Sequence, residues 1–293
     1  MISVAMATYN GSKYLSEQID SILNQSVQFF EIVVCDDCST DGTFELLIQY
    51  AQKDQRFKIF KNDYNLGFKK NFERAISLCS GDFIALSDQD DIWLPDHLKT
   101  LMETLGDKML ACGNSILVDE NNKDLGVLLS YQESLDYVPK DDLLKAMSVM
   151  LFRNPYQGAA MLFRKELAEI ACPIPDVTGY HDKWLVMVAC MTKGMNFTFE
   201  PIMRYRRLRT SVTDMRLKRK SKIMSLRNHV IFGDRLGIAR ALKQITPRSR
   251  LCFLEKMEAI CMRNNSFIGR WKNFFYMIRH YRTIYSCGFI HWL

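Results

Sequence analysis

The stretch Phe83-Ile84-Ala85-Leu86-Ser87-Asp88-Gln89-Asp90-Asp91 decides how the chain folds. A short apolar run of the kind that makes a buried strand ends in three carboxylates within four positions. Carboxylates crowded at a strand end repel one another and raise each other's pKa. A hard divalent cation relieves that repulsion, because it takes carboxylate and phosphate oxygens together. The competing reading is a solvated acidic turn ahead of the helix that Pro95 opens, with Asp91 near its cap. Taken alone, the stretch leaves both open.

Working outward, the same grammar repeats. Ile2 to Ala7 reads as a strand broken by Thr8-Tyr9-Asn10-Gly11, and Leu15, Gln18, Ile19, Ile22 and Leu23 fall mostly on one helical face. Phe30 to Cys35 is a second strand, running into Asp36-Asp37, with cap and turn residues Ser39 to Thr43 before a helix through about Gln52. A short strand over Phe57 to Phe60, a helix from Phe68 to Cys79, the strand at 82–87, a helix from Pro95 to Leu105 and a strand from Met109 to Asn114 follow. Such alternation predicts an α/β fold with a mostly parallel central sheet and helices on both faces. Ligands in such sheets sit beyond the carboxyl ends of the strands. That rule gathers Ala7-Thr8-Tyr9-Asn10, Asp36-Asp37 and Asp88 to Asp91 on one edge. Beyond residue 115 the pattern predicts a helix over Asp141 to Met150, a strand over Ala159 to Phe163, a helix from Trp184 to Met191 and a strand at Phe197-Thr198-Phe199.

Composition bounds the alternatives. At 293 residues the chain holds one large domain, or one domain with an appendage. No apolar run approaches the roughly 18 residues of a spanning helix, and Met1-Ile2-Ser3-Val4-Ala5 has no signal-peptide character. Nine scattered cysteines fit a reducing cytoplasm, and Cys35-x-x-Cys38 has no second pair to complete a zinc site. Charge is sharply divided. Residues 215–293 carry 17 Lys and Arg against 3 Asp and Glu, leaving residues 1–214 with a net charge of −8. The expectation is an acidic domain over 1–214 and a basic, aromatic-rich helical region over 215–293.

The ordered set Met6-Ala7-Thr8-Tyr9-Asn10, Val34 to Thr43, Asn65-Leu66-Gly67 and Ser87-Asp88-Gln89-Asp90-Asp91-Ile92-Trp93 resembles the family 2 glycosyltransferases of GT-A fold. His181-Asp182-Lys183-Trp184 and Tyr205-Arg206 resemble the branch with bacterial rhamnosyltransferases of surface polysaccharide synthesis. The resemblance implies a nucleoside-diphosphate-sugar donor, dTDP-L-rhamnose before a UDP-hexose, and a glycan or lipid-linked acceptor. It implies that Ala7, Thr8, Tyr9 and Asp36 receive the base, that Asp90 binds Mg²⁺ or Mn²⁺, and that Asp88 meets the ribose or the metal. Asp37 contacts the nucleotide or caps the turn at Ser39 to Thr43. Asp182 is implied as the base of an inverting transfer; as a sequence feature alone it reads rather as a helix N-cap. His181 tunes the base, binds acceptor, or is simply buried. Arg206, with Arg204 and Arg207, would clamp the diphosphate. Here the chain departs from relatives that commonly read Tyr-Arg-Gln-His: Arg207-Leu208-Arg209 stands instead, so the histidine is missing. Trp93, Gln157 and Gly158 would line the sugar and acceptor sides, with core packing as the other reading of Trp93.

Other classes are less well served. A sugar-nucleotide nucleotidyltransferase needs a glycine-rich phosphate loop after the first strand, and Ala7 to Lys13 lacks one. A catalytically silent carbohydrate- or membrane-binding relative would lack Asp90 or Asp182, and both are present. The basic tail interleaves Phe267, Trp271, Phe274, Phe275, Tyr276, Tyr281, Tyr285, Phe289 and Trp292 with Lys and Arg. That composition suits an anionic membrane surface, ahead of a helical layer on the catalytic domain and of nucleic acid. The expected place is cytoplasmic, peripheral on the inner face of the cell membrane.

Overall fold

A computed structural model describes residues 1–132, 140–151, 154–208 and 227–263. The strands are β1 (Ile2–Thr8), β2 (Glu31–Asp36), β3 (Phe57–Lys61), β4 (Phe83–Ser87), β5 (Ile92–Trp93), β6 (Leu110–Val118), β7 (Asp124–Leu128), β8 (Met161–Arg164) and β9 (Met195–Arg206). The helices are α1 (Ser12–Leu23), α2 (Thr43–Lys53), α3 (Phe68–Leu78), α4 (His97–Leu105), α5 (Leu129–Gln132), α6 (Asp142–Leu151), α7 (Lys165–Ala171), α8 (His181–Met191), α9 (Arg227–Ile245) and α10 (Arg248–Arg263), with a 3₁₀ turn at Gly158–Ala160.

One sheet runs in the order β3-β2-β1-β4-β8-β6-β9-β5, with β7 on β6. From β3 to β4 it is parallel, as the alternation predicts. Beyond β4 it is mixed: β8 enters antiparallel between β4 and β6, β9 runs parallel to β6, and β5 pairs antiparallel with β9. The parallel strands read as continuous apolar runs because both of their faces are covered: Val4, Ala5, Met6, Ile32, Val33, Val34, Ile84, Ala85 and Leu86 are all fully buried. Register brings Thr8 beside Asp36 and Met6 beside Ser87, so β1, β2 and β4 end together. The polar termini of three strands thus form one edge.

The sequence pattern overlooks β5, β7 and α7, and shortens β9 to a quarter of its 12 residues. Helix α8 is apolar on every side and buried from Trp184 to Met191, as expected of a helix enclosed by other elements. The basic region is in part a layer on the catalytic domain. Ile238, Ala239 and Leu242 of α9 and Leu254 and Met257 of α10 are buried in the main core, and an Arg250 Nη1 donates to the Cys190 carbonyl. The boundary expected at 214 and the aromatic residues from Phe267 onward lie outside the described residues. Among the described residues no helix is long and apolar enough to cross a membrane.

Candidate active site

At the strand edge Asp36 is fully buried, and its carboxylate accepts from Thr8 Oγ1 at 3.0 Å, Ser39 Oγ at 2.5 Å and Ser39 N at 3.0 Å. The expected contact from Asp36 to a nucleobase is therefore corrected: the side chain has no open face and instead ties the β2 turn to β1. Asp37 is also internal. It accepts from Asn62 Nδ2, Leu66 N and Gly67 N at 2.6, 2.7 and 2.8 Å, so it hangs the Asn65-Leu66-Gly67 turn beneath β2. The capping role suggested for Asp37 belongs to Asp36.

Gln89 closes the next gap. Its Oε1 accepts from Tyr9 N at 2.8 Å and its Nε2 donates to Tyr9 O at 2.9 Å, a reciprocal bond joining the acidic turn to the end of β1. The bond needs Gly11, because a Cβ there would stand 2.2 Å from Gln89 Oε1. It also occupies both main-chain groups of Tyr9, leaving the exposed ring, and the half-buried Ala7, as the open features of this strand end.

The acidic turn presents two kinds of carboxylate. Asp91 is wholly buried; its Oδ1 accepts from Arg206 N at 3.1 Å and its Oδ2 has no partner among the described residues. Burial, then the charges of Asp90 and Asp88, hold its carboxyl well above the usual range. Asp88 and Asp90 are only half-buried. Asp88 is raised by burial and by the neighbouring charges of Asp90 and Asp182, and Asp90 by burial. No described protein group is a hydrogen-bond donor to the Asp88 carboxylate, and Asp90 has only its own main chain and the field of Arg206. The charge of Asp182, from the far end of the sequence, reaches Asp88 directly.

Asp182 is the second residue of α8, whose N-cap is Tyr180. The cap reading is thereby replaced: Asp182 lies inside the first turn, where the positive end of the helix favours a carboxylate. Burial pushes its carboxyl up to about 6, opposed by the Lys183 N–H and the Asn154 side chain. The 3₁₀ turn lies against it. A Cβ on Gly158 would stand 3.0 Å from His181 Nε2 and 3.4 Å from Asp182 Cβ, so the glycine main chain lies close against both residues. Gln157 is anchored by Ser115 Oγ at 2.7 Å, and its buried Nε2 has no partner among the described residues.

Three expected site residues turn out to be packing or bracing groups. Trp93 is 2% exposed and stacks on His97 with centroids 3.9 Å apart, so it is core and not a wall for a sugar. His181 is buried against Phe72 at 4.2 Å, and burial lowers it to about 3, leaving a neutral ring behind Asp182 with no open face for an acceptor. Arg206 is likewise no clamp: its side chain is 1% exposed and bonded to Asp90 O, Glu120 O and Glu17.

Among the described residues no three His, Cys, Asp or Glu side chains by themselves make a metal cage. Two under-bonded carboxylates are nevertheless hard oxygen donors of the kind that Mg²⁺ and Mn²⁺ accept. Asp88 and Asp90 fit that role, since a cation would relieve the repulsion that raises them.

A family model described as glycosyl transferase family 2 matches residues 3–184, more than half of the chain. The chain belongs to that family. Curated relatives of this glycosyltransferase include an uncharacterized glycosyltransferase of Haemophilus influenzae, 34% identical over 56% of this chain and 51% of its own. A putative teichuronic acid biosynthesis glycosyltransferase, TuaG of Bacillus subtilis, is 30% identical over 53% of this chain and 63% of its own. The chain thus spans about half to three-fifths of these relatives' lengths. Solved structures with the same fold include S. aureus TarS residues 1–349 with UDP-GlcNAc, at a TM-score of 0.62 and 18% identity over 90% of this chain and 72% of that one. The mannosyltransferase PcManGT of Pyrobaculum calidifontis with GDP-Man and Mn²⁺ superposes at 0.60, 18% identical over 93% of this chain and 71% of that one. The expected GT-A architecture is the one this glycosyltransferase adopts. In the motif order Tyr205-Arg206 reads as a phosphate-binding pair and Gln89 as a spacer inside an acidic motif, because neither shows its bonding partners in sequence.

Proposed function

We propose that this glycosyltransferase moves a hexosyl group, with inversion, from a nucleoside-diphosphate sugar to a glycan or lipid-linked acceptor in bacterial surface polysaccharide synthesis. One observation carries the proposal: Asp88, Asp90 and Asp182, from two distant parts of the chain, share one electrostatic neighbourhood while protein donors leave the first two under-bonded. Mg²⁺ or Mn²⁺ held by Asp90 and Asp88 would neutralise charge on the departing diphosphate, as Lewis acid and template. Asp182 accepts the proton of the acceptor hydroxyl. The acceptor's hydroxyl oxygen forms the new bond to the anomeric carbon as the old carbon–oxygen bond breaks, and the electron pair leaves with the nucleoside diphosphate. A carboxyl raised to about 6 is a stronger base than an ordinary aspartate and is still ionised at neutral pH.

The donor is read as dTDP-L-rhamnose from the His181-Asp182-Lys183-Trp184 resemblance. The alternative is a UDP-hexose, supported by an Escherichia coli relative named as a UDP-Glc-dependent β-1,3-glucosyltransferase, WfgD, 35% identical over 34% of this chain. Because α9 and α10 pack on the catalytic domain, the membrane reading narrows to residues 264–293, with nine aromatics, four Lys and Arg and no acidic residue. The test is a donor screen over dTDP- and UDP-sugars with and without Mn²⁺, together with the melting temperature in each nucleotide. Nucleotide should raise the melting temperature only with metal, and Asp90→Asn should abolish the rise. A shift that survives chelation defeats the reading.

A further inference from the structure

Arg206 is the most completely engaged charged side chain at the site. It ends β9, the last strand among the described residues, and its groups reach three other segments. Its main-chain N–H donates to Asp91 Oδ1 at 3.1 Å and its Nε to Asp90 O at 2.8 Å, both in the acidic turn. Its Nη1 donates to Glu120 O at 2.9 Å in the β6–β7 connection, and its Nη2 to Glu17 Oε2 at 2.6 Å on α1. The guanidinium also lies 4.5 Å from the centre of the Tyr14 ring, a cation–π contact on the same helix. α1, the acidic turn, the β6–β7 connection and β9 therefore meet on one planar cation. β5 adds a second tie, since Ile92, the residue after Asp91, pairs with Arg204.

We propose that Arg206 is a positioning residue: its buried guanidinium, seated on Tyr14 and Glu17, fixes the main chain of Asp90-Asp91 and thereby aims Asp88 and Asp90, without touching the donor. The effect on metal rests on the function proposed above; the effect on the turn does not. Charge explains why an arginine stands here. Asp90 and Asp91 are forced together in a poorly solvated turn, and an unpaired buried carboxylate is costly. A fixed cation bonded to the turn's own carbonyl compensates it without taking a hydrogen bond from the carboxylates of Asp88 and Asp90. Geometry explains why lysine cannot replace it. An ammonium carries its three donors on one nitrogen, whereas Asp90 O, Glu120 O and Glu17 are bonded to three separate nitrogens of the guanidinium fork.

The experiment compares wild type with Arg206→Lys, Glu17→Gln and Tyr14→Leu by two measurements. The first is amide hydrogen exchange of the peptide spanning 86–93 in chelated, metal-free protein; Arg206→Lys should speed it at least about tenfold, with the peptide of β1 unchanged. The second is the Mn²⁺ dissociation constant with UDP or dTDP present, read from the free-Mn²⁺ electron paramagnetic resonance signal. It should rise about 10–100-fold in Arg206→Lys and less in Glu17→Gln, the scale seen when groups supporting metal ligands are removed. At saturating Mn²⁺ the donor KM should return to near the wild-type value. Exchange at 86–93 unchanged in a folded Arg206→Lys overturns the proposal, as does a raised donor KM with unchanged metal affinity, the signature of a diphosphate clamp. If Arg206→Lys does not fold, the half-exposed Glu17 and Tyr14 variants decide by the same criteria. A wild type that binds no Mn²⁺ with either nucleotide defeats the proposed function, while the exchange measurement still decides the positioning role.

Discussion

Replacing Asp182 by Asn should inactivate the enzyme and yet make the metal-free protein more stable at alkaline pH. The carboxyl moves from 3.8 to about 6 because burial opposes its ionised form. A carboxyl raised in this way binds its proton more tightly folded than unfolded. Its contribution to stability is therefore fully present below about pH 4 and is lost as pH rises through about 6. At about 1.4 kcal/mol per unit the shift corresponds to roughly 3 kcal/mol, and partial solvent access at Asp182 reduces this to about 1–2 kcal/mol. Asn keeps an oxygen for the Lys183 N–H, which approaches at 2.5 Å, and removes the charge that raises Asp88. Urea denaturation of chelated protein at pH 4.5 and pH 8 reads the difference. The variant should equal wild type within about 0.5 kcal/mol at the lower pH and exceed it by about 1–2 kcal/mol at the higher. Equal destabilisation at both values would refute the argument, because it would mean that Asp182 serves the fold. In wild type the same carboxyl gives the turnover rate an acid limb, falling about tenfold per unit below pH 6.

Gly158→Ala should cost about 1–3 kcal/mol and most of kcat, since its Cβ would press on a His181 ring already held by Phe72; a variant with wild-type melting temperature and turnover contradicts that packing. Asp37→Ala removes one acceptor from Asn62 Nδ2, Leu66 N and Gly67 N together and should destabilise by about 3 kcal/mol in chemical denaturation. A loss under 1 kcal/mol would place Asp37 outside the framework of the turn.

The parallel half of the sheet and its acidic edge were legible because a doubly covered strand leaves an unbroken apolar run and a sharp polar end. Ile84-Ala85-Leu86 followed by Asp88 is the clearest instance. Strands that share burial with loops carry no such mark: β5 is two residues long, and β7 is mostly exposed. Local pattern also assigns residue types to roles without their partners. Asp36 and Asp37 look alike in sequence, and both are consumed by turns, one through Ser39 and the other through Gly67. Arg206 looked like a phosphate ligand because arginines often are. Only its three distant acceptors reveal a brace. Trp93 and His181 sit inside motif segments, yet the rings they stack on, His97 and Phe72, pull them into the core.

The seating of the acidic turn on β9 has a consequence for biogenesis. During synthesis, Asp88, Asp90 and Asp91 emerge more than a hundred residues before Arg204 and Arg206, the groups that hold them in place. A nascent chain ending before residue 195 would own these carboxylates and the Gln89–Tyr9 tie, and would lack the contacts from β9. If β9 aims the acidic turn as proposed, competence to grip a sugar nucleotide arrives late, with the closure of this strand, and a product truncated before it should be inert with its carboxylates intact.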